Sequence, residues 1–127
     1  MGRFELATQI NQLTLQVEAP TWEDIALSLA SLRESTGSVA LRPCVGACWP
    51  SLQCLAEDGR YLLTLGELDE QGEVIVRTLT TPGLVPRMVS ILGDCWDSRM
   101  ITENFQHVID EFQEFHRTGT VGDLLSE

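Results

Sequence analysis

The sequence predicts an α+β domain: an antiparallel meander sheet of about five to six strands covered by two amphipathic helices. Three observations lead there. Two stretches repeat apolar residues at helical spacing, and the region between them alternates with period two. Most breaks between those runs carry Gly, Pro or an Asn/Asp turn residue. No internal repeat, low-complexity tract or linker interrupts the pattern, so residues 1–127 read as a single domain.

The elements follow in order. Phe4 to Thr8 and Leu13 to Val17 read as a first hairpin turning at Asn11-Gln12. A helix is predicted from Thr21 to Glu34. Pro20 precedes it, Thr21 is the N-cap, and Asp24 stands three residues on, the spacing of a capping box. Trp22, Ile25, Leu29 and Leu32 give it an apolar face, and Ser35-Thr36-Gly37 ends it. Ser38–Arg42 reads as a strand closed by Pro43. Leu52–Ala56 and Arg60–Leu65 flank Asp58-Gly59, a strong hairpin signal. The leucine run of the second of these predicts burial on both faces and a central position. Glu70–Glu73 turns the chain into Val74–Leu79, and Met88–Leu92 begins another strand after Pro82-Gly83 and Pro86. A second helix is predicted from Thr102 to Arg117. Phe105, Val108, Ile109, Phe112 and Phe115 mark its apolar face, Glu103, Asp110, Glu111, Glu114 and Arg117 the polar one, and Gly119 stops it.

Composition narrows the function classes. The 43% hydrophobic and 21% charged residues are those of a globular chain, not a disordered one. No apolar run is long enough to span a bilayer, and no basic region followed by an apolar stretch marks a secretory signal, so a cytoplasmic location is expected. Nineteen acidic residues face eight basic ones, all arginine, for a formal net charge of -11. Such a field repels nucleic-acid phosphates and anionic membranes and favours encounter with basic partners. In that setting Cys44, Cys48, Cys54 and Cys95 are no disulfide framework. The Cys44/Cys48/Cys54 spacing has no histidine nearby to complete a zinc site, and neither metal nor cofactor is expected.

Candidates for chemistry are few. There is no phosphate loop, dinucleotide fingerprint, zinc-protease motif or nucleophile elbow. Cys95, in Gly93-Asp94-Cys95-Trp96-Asp97, is a conceivable nucleophile, but it needs a cation or a His base, and His107 and His116 are far along the next helix. The plainer expectation is that Gly93 makes a sharp turn and Trp96 anchors the loop on the sheet. Glu67, Asp69 and Glu70 read as an acidic, solvated strand turn, without the alternating oxygen ligands of a calcium loop. Trp49, beside Pro50 in a loop, is either a partner anchor or a plug for one end of the core.

The blocks Pro20-Thr21-Trp22-Glu23-Asp24-Ile25, Gly37–Leu41, Gly59–Gly66, Gly93–Asp97, Phe112–Phe115 and Thr118–Val121 resemble a family of small bacterial proteins with no characterised function. The layout is also similar to one class of immunity proteins from bacterial polymorphic toxin systems. Those are small acidic α+β proteins that bind and inactivate a toxin, so this resemblance implies a protein partner. The leading expectation is a non-enzymatic, acidic protein-binding module, an immunity-type inhibitor of a basic toxin domain. Its interface would draw on Trp49, Glu67, Asp69, Glu70, Asp94, Trp96 and Asp97. The alternatives are a small enzyme or ligand-binding protein using the Cys95 loop, and a homodimeric scaffold.

Overall fold

The computed structural model describes residues 4–33, 35–43, 49–79, 87–119, 121 and 125–126. Strands β1 (Phe4–Ile10) and β2 (Leu13–Glu18) form the first hairpin, with Asn11 in the left-handed region at φ 57. Helix α1 (Trp22–Leu32) follows, then β3 (Gly37–Pro43), β4 (Ser51–Glu57), β5 (Arg60–Leu68) and β6 (Val74–Leu79). Next come β7 (Met88–Ile91), β8 (Asp94–Asp97), a 3-10 turn at Ser98–Met100, β9 (Ile101–Thr102), α2 (Phe105–Thr118) and β10 (Leu125–Ser126). The main sheet runs β10-β6-β5-β4-β3-β1-β2, with β9 paired to the start of β5. All its pairings are antiparallel. The α+β class and the meander from β3 to β6 agree with the sequence reading.

Register fixes which side chains share a face. Leu6, Leu41, Leu52 and Leu65 lie in one cross-strand row, and Thr8, Val39, Cys54 and Leu63 in the next. All eight are buried on the side where both helices pack. Ile25, Leu29 and Leu32 of α1 meet Val108, Phe112 and Phe115 of α2 over those rows in one continuous core. The helices run antiparallel: Trp22 stands by His116, and the Arg33 guanidinium lies over the Phe105 ring at 5.5 Å. Two polar bonds tie this layer down. The Tyr61 hydroxyl donates to the Arg33 carbonyl at 2.6 Å, and His116 Nε2 donates to the Pro20 carbonyl at 3.1 Å.

Helix ends follow local chemistry. Thr21 Oγ1 accepts from the Asp24 N–H and Asp24 returns a bond to the Thr21 N–H, closing the predicted capping box. The predicted start of the second helix moves from Thr102 to Phe105. Thr102 pairs with Tyr61 in β9 instead, and Asn104 caps the helix through Oδ1 to the Gln106 N–H. Gly119, at φ 79, closes it in the left-handed region. Glu111 is a further correction. It is buried rather than on the polar face, because it falls three residues after Val108 and four before Phe115, within the stripe that meets the core.

Beyond the helices the faces change character. β5 is buried on both sides, as its leucines predict: Leu62 points away from the helices into a small cluster with Ile91 and Ile101. That cluster forms because β7 and β8 fold as a separate two-stranded hairpin against the back of the sheet instead of extending it. At the opposite edge, β2 alternates as Leu-Thr-Leu-Gln-Val-Glu, yet every residue is exposed, Leu13 at 71% and Leu15 at 61%. Both helices leave this strand uncovered.

Candidate functional site

The tight turn at the end of β5 shapes the first candidate surface. The Asp69 carboxylate accepts from the N–H groups of Gln71 and Glu73 at 2.8 and 2.9 Å, and Gly72 takes φ 82. Asp69 therefore organises the turn, while Glu70 and Glu73 are exposed. Glu67, two residues before Asp69, lies on the helix side, 3.6 Å from Arg77 Nη1. On the back face the register aligns Gly66 with Val76 and Leu68 with Val74. The Trp49 indole lies directly over Gly66, where a Cβ would collide with its ring. Leu68, Val74 and Val76, each about half exposed at 48%, 49% and 53%, continue this surface toward the acidic turn. Trp49 over Gly66 and the Asp69–Glu73 turn thus lie at the two ends of one stretch of the β5–β6 ladder, with Leu68 and Val74 between them.

The remaining sequence candidates fall on the β7–β8 hairpin. Leu92 and Gly93 make its turn with φ 52 and φ 88, the primed geometry that suits tight hairpins. Trp96 packs on the cluster around Leu62, as its anchoring role predicts, and its buried Nε1 lacks a hydrogen-bond acceptor among the described residues. Asp94 and Cys95 are exposed at the hairpin. Leu62 and Gly66 are four residues apart on β5, so hairpin and indole occupy the same face about 13 Å apart by strand rise.

Asp97 is occupied locally. Its Oδ1 accepts from the Arg99 backbone N–H and Nε, and its Oδ2 from Arg99 Nη2 at 2.7 Å. These bonds favour the charged carboxylate and hold its pKa down at about 2. A depressed carboxylate pKa contributes stability above the ordinary value of about 4, lost as pH falls through the folded value. The thermal midpoint of Asp97→Asn should therefore lie slightly below that of the parent at neutral pH, with the gap closing as pH falls to about 2. A gap that stays constant with pH would show that the Arg99 pairing is not its source.

Among the described residues, neither histidine is bonded to Cys95. His107 Nδ1 is 3.4 Å from Thr102 Oγ1, and His116 is bonded to Pro20. Cys54 is buried in the core, and burial pushes its thiol pKa far up. Cys44 and Cys48, the other members of the weighed zinc spacing, lie outside the described residues. Among the described residues no group of three or more His, Cys, Asp or Glu is placed to hold a metal, and no helix is long and apolar enough to cross a membrane.

Sequence reasoning missed one feature, an open cleft of about 1010 Å³ lined by Arg60, Arg87, Thr102, Glu103 and His107 among others. Arg60 comes from β5, Arg87 from the approach to β7, and Thr102, Glu103 and His107 from β9 and the start of α2, so no spacing in the sequence joins the two arginines to the rest.

Comparison with known proteins places the chain by family and fold. The model of a family described as "Family of unknown function (DUF6911)" matches residues 1–125. A solved structure entitled "Crystal structure of a hypothetical protein from Neisseria gonorrhoeae" is similar over 97% of this chain and 92% of its own, with TM-score 0.80 and 19% identity. At that identity the likeness is one of fold. No curated protein matches.

Proposed function

We propose that this chain, which belongs to that family of unknown function, is a protein-binding module that docks a basic partner on the back of its sheet. The observation that carries the proposal is the back-face strip of half-exposed Leu68, Val74 and Val76, with the partly buried Trp49 indole over neighbouring Gly66 and the acidic Asp69, Glu70 and Glu73 at the turn that follows. Contiguous apolar side chains with a charged rim are the anatomy of an interface. The rim is acidic in a chain of net charge -11, so charge complementarity selects a basic occupant. Trp49 supplies a large aromatic surface on a glycine-backed seat. The finer form of the proposal is an immunity-type inhibitor that covers the functional face of a basic toxin domain.

The test uses the intact chain, its Val76→Asp variant and its Glu70→Gln/Glu73→Gln double variant as affinity baits in the source organism. The expected result is a basic protein whose affinity falls at least about tenfold with Val76→Asp. Its association rate should fall with rising salt, less steeply for the double variant. A basic partner held equally by all three baits would sink this surface, and a partner with a salt-independent on-rate would sink the electrostatic argument. The exposed β2 edge favours a second reading, a homodimer paired edge to edge, and sedimentation of the purified chain decides it. A monomer at all concentrations excludes that reading and leaves the first in place.

A further inference from the structure

The open cleft combines with a pattern in the arginines. Seven of the eight lie among the described residues, and five of those have a partner. Arg42 pairs with Glu5, Arg77 with Glu67, Arg99 with Asp97 and Arg117 with Glu114, while Arg33 lies on the Phe105 ring. Only Arg60 and Arg87 have no ion pair or ring partner for their guanidinium among the described residues, and both line this one cleft. In a chain with more than twice as many acids as arginines, that is an unexpected place to leave two cations uncompensated.

Local structure sets the place of each. Glu57 stands opposite Arg60 across the β4–β5 hairpin, the position from which a carboxylate would pair with it. Its Oε1 instead accepts from the Leu92 N–H at 3.1 Å, binding the second hairpin to the sheet. Arg87 is fixed by its backbone: its N–H donates to Ser98 Oγ at 3.2 Å and its carbonyl accepts from the Ser98 N–H at 2.8 Å. Thr102 Oγ1 accepts from the Asn104 N–H at 3.0 Å, which leaves its own proton for His107 Nδ1. In the tautomer that accepts this proton at Nδ1, His107 carries its hydrogen on Nε2 and adds a third donor to the cleft lining. Glu103 lines it too, so the local balance is two guanidinium charges against one carboxylate.

We infer that the cleft between the β7–β8 hairpin and the start of α2 binds a small oxyanion-bearing molecule, its phosphate or carboxylate group held by Arg60 and Arg87 with His107 donating beside them. Guanidinium forks match both groups with paired hydrogen bonds. The remaining negative charge of the chain is spread over the surface, and physiological salt screens it beyond about 8 Å, so the charges lining the cleft set its local balance. This site is separate from the proposed docking strip, and either can stand without the other.

Chemical-shift titration of the full chain tests it, with inorganic phosphate in one arm, citrate in a second and sodium chloride of matched ionic strength as control. Saturable shifts at Arg60, Arg87 and His107 are expected. Arg60→Gln and Arg87→Gln should each weaken binding by roughly tenfold while leaving the thermal midpoint in place, since neither guanidinium is paired among the described residues. Saturation by phosphate alone assigns a phosphate ester, by citrate alone a polycarboxylate, and by both a general oxyanion site. Shifts no larger than the chloride control, or affinities unchanged in both variants, would overturn the inference.

Discussion

Phe112→Ala is expected to lower the free energy of unfolding by about 4 kcal/mol, the middle of the range for truncating a buried aromatic. The ring is fully buried in the core between α2 and the sheet, with Val108 and Phe115 on its own helix and Ile25, Leu29 and Leu32 on the other. The space it leaves cannot close easily. The strands below are fixed by register on both sides, and α2 is tied at its far end by His116 to Pro20 and by Phe115 against Phe4 at 5.3 Å. A cavity that persists adds its own cost to the lost transfer energy. For a chain this size the loss corresponds to a fall of roughly 15 °C in thermal midpoint. Urea unfolding with an unchanged slope is the measurement that checks it. Leu15→Ala is the internal control. Leu15 is as apolar as any core residue but 61% exposed, so its truncation should change stability by less than about 0.5 kcal/mol. Equal losses at the two positions would mean that β2 is covered in solution.

The contrast between Phe112 and Leu15 also marks how far the sequence can be read. Periodicity finds elements, because it reflects which face is buried. Both helices, the Thr21 capping box, the Asp58-Gly59 hairpin and the doubly buried β5 were legible for that reason. Partner choice between strands depends on contacts distant in the chain. Nothing local says that β3, arriving after α1, pairs with β1, or that β7 and β8 fold back over Leu62. Leu13, Leu15 and Val17 alternate as a buried strand does, yet lie outside the reach of both helices. Glu111 shows the reverse, a charge inside the apolar stripe that residue type alone assigns to solvent. Of the expected interface, Trp49 and the Glu70 turn were read as separate loops and are joined through Gly66, Leu68 and the β5–β6 register. Asp69 and Asp97, read as part of the expected interface, are hydrogen-bonded within their own turns. Arg60 and Arg87 left no trace, because an unpaired arginine is recognised only once every partner has been placed.

Gly37→Ala is expected to cost about 3 kcal/mol, more than any surface substitution, although it adds one methyl group. Gly37 lies on β3 opposite Ile10 on one side and Ala56 on the other, so its strand has no free flank toward which to shift. A Cβ there would collide with the Gln9 carbonyl oxygen and stand 2.9 Å from the Ile10 Cα. Both obstacles are backbone, so no rotamer change relieves them. The chain must instead move the β1–β2 hairpin, which is held at that point by the Asn11 N–H on the Thr36 carbonyl. Gly66→Ala makes an instructive pair with it. There the added methyl would strike only the Trp49 ring, a side chain that can swing away from its seat. The first substitution should therefore shift the urea midpoint strongly. The second should leave it nearly unchanged and weaken the basic partner instead, because the indole is displaced from its seat over Gly66. If Gly66→Ala proved as destabilising as Gly37→Ala, Trp49 would be part of the core, and the docking strip would lose its anchor.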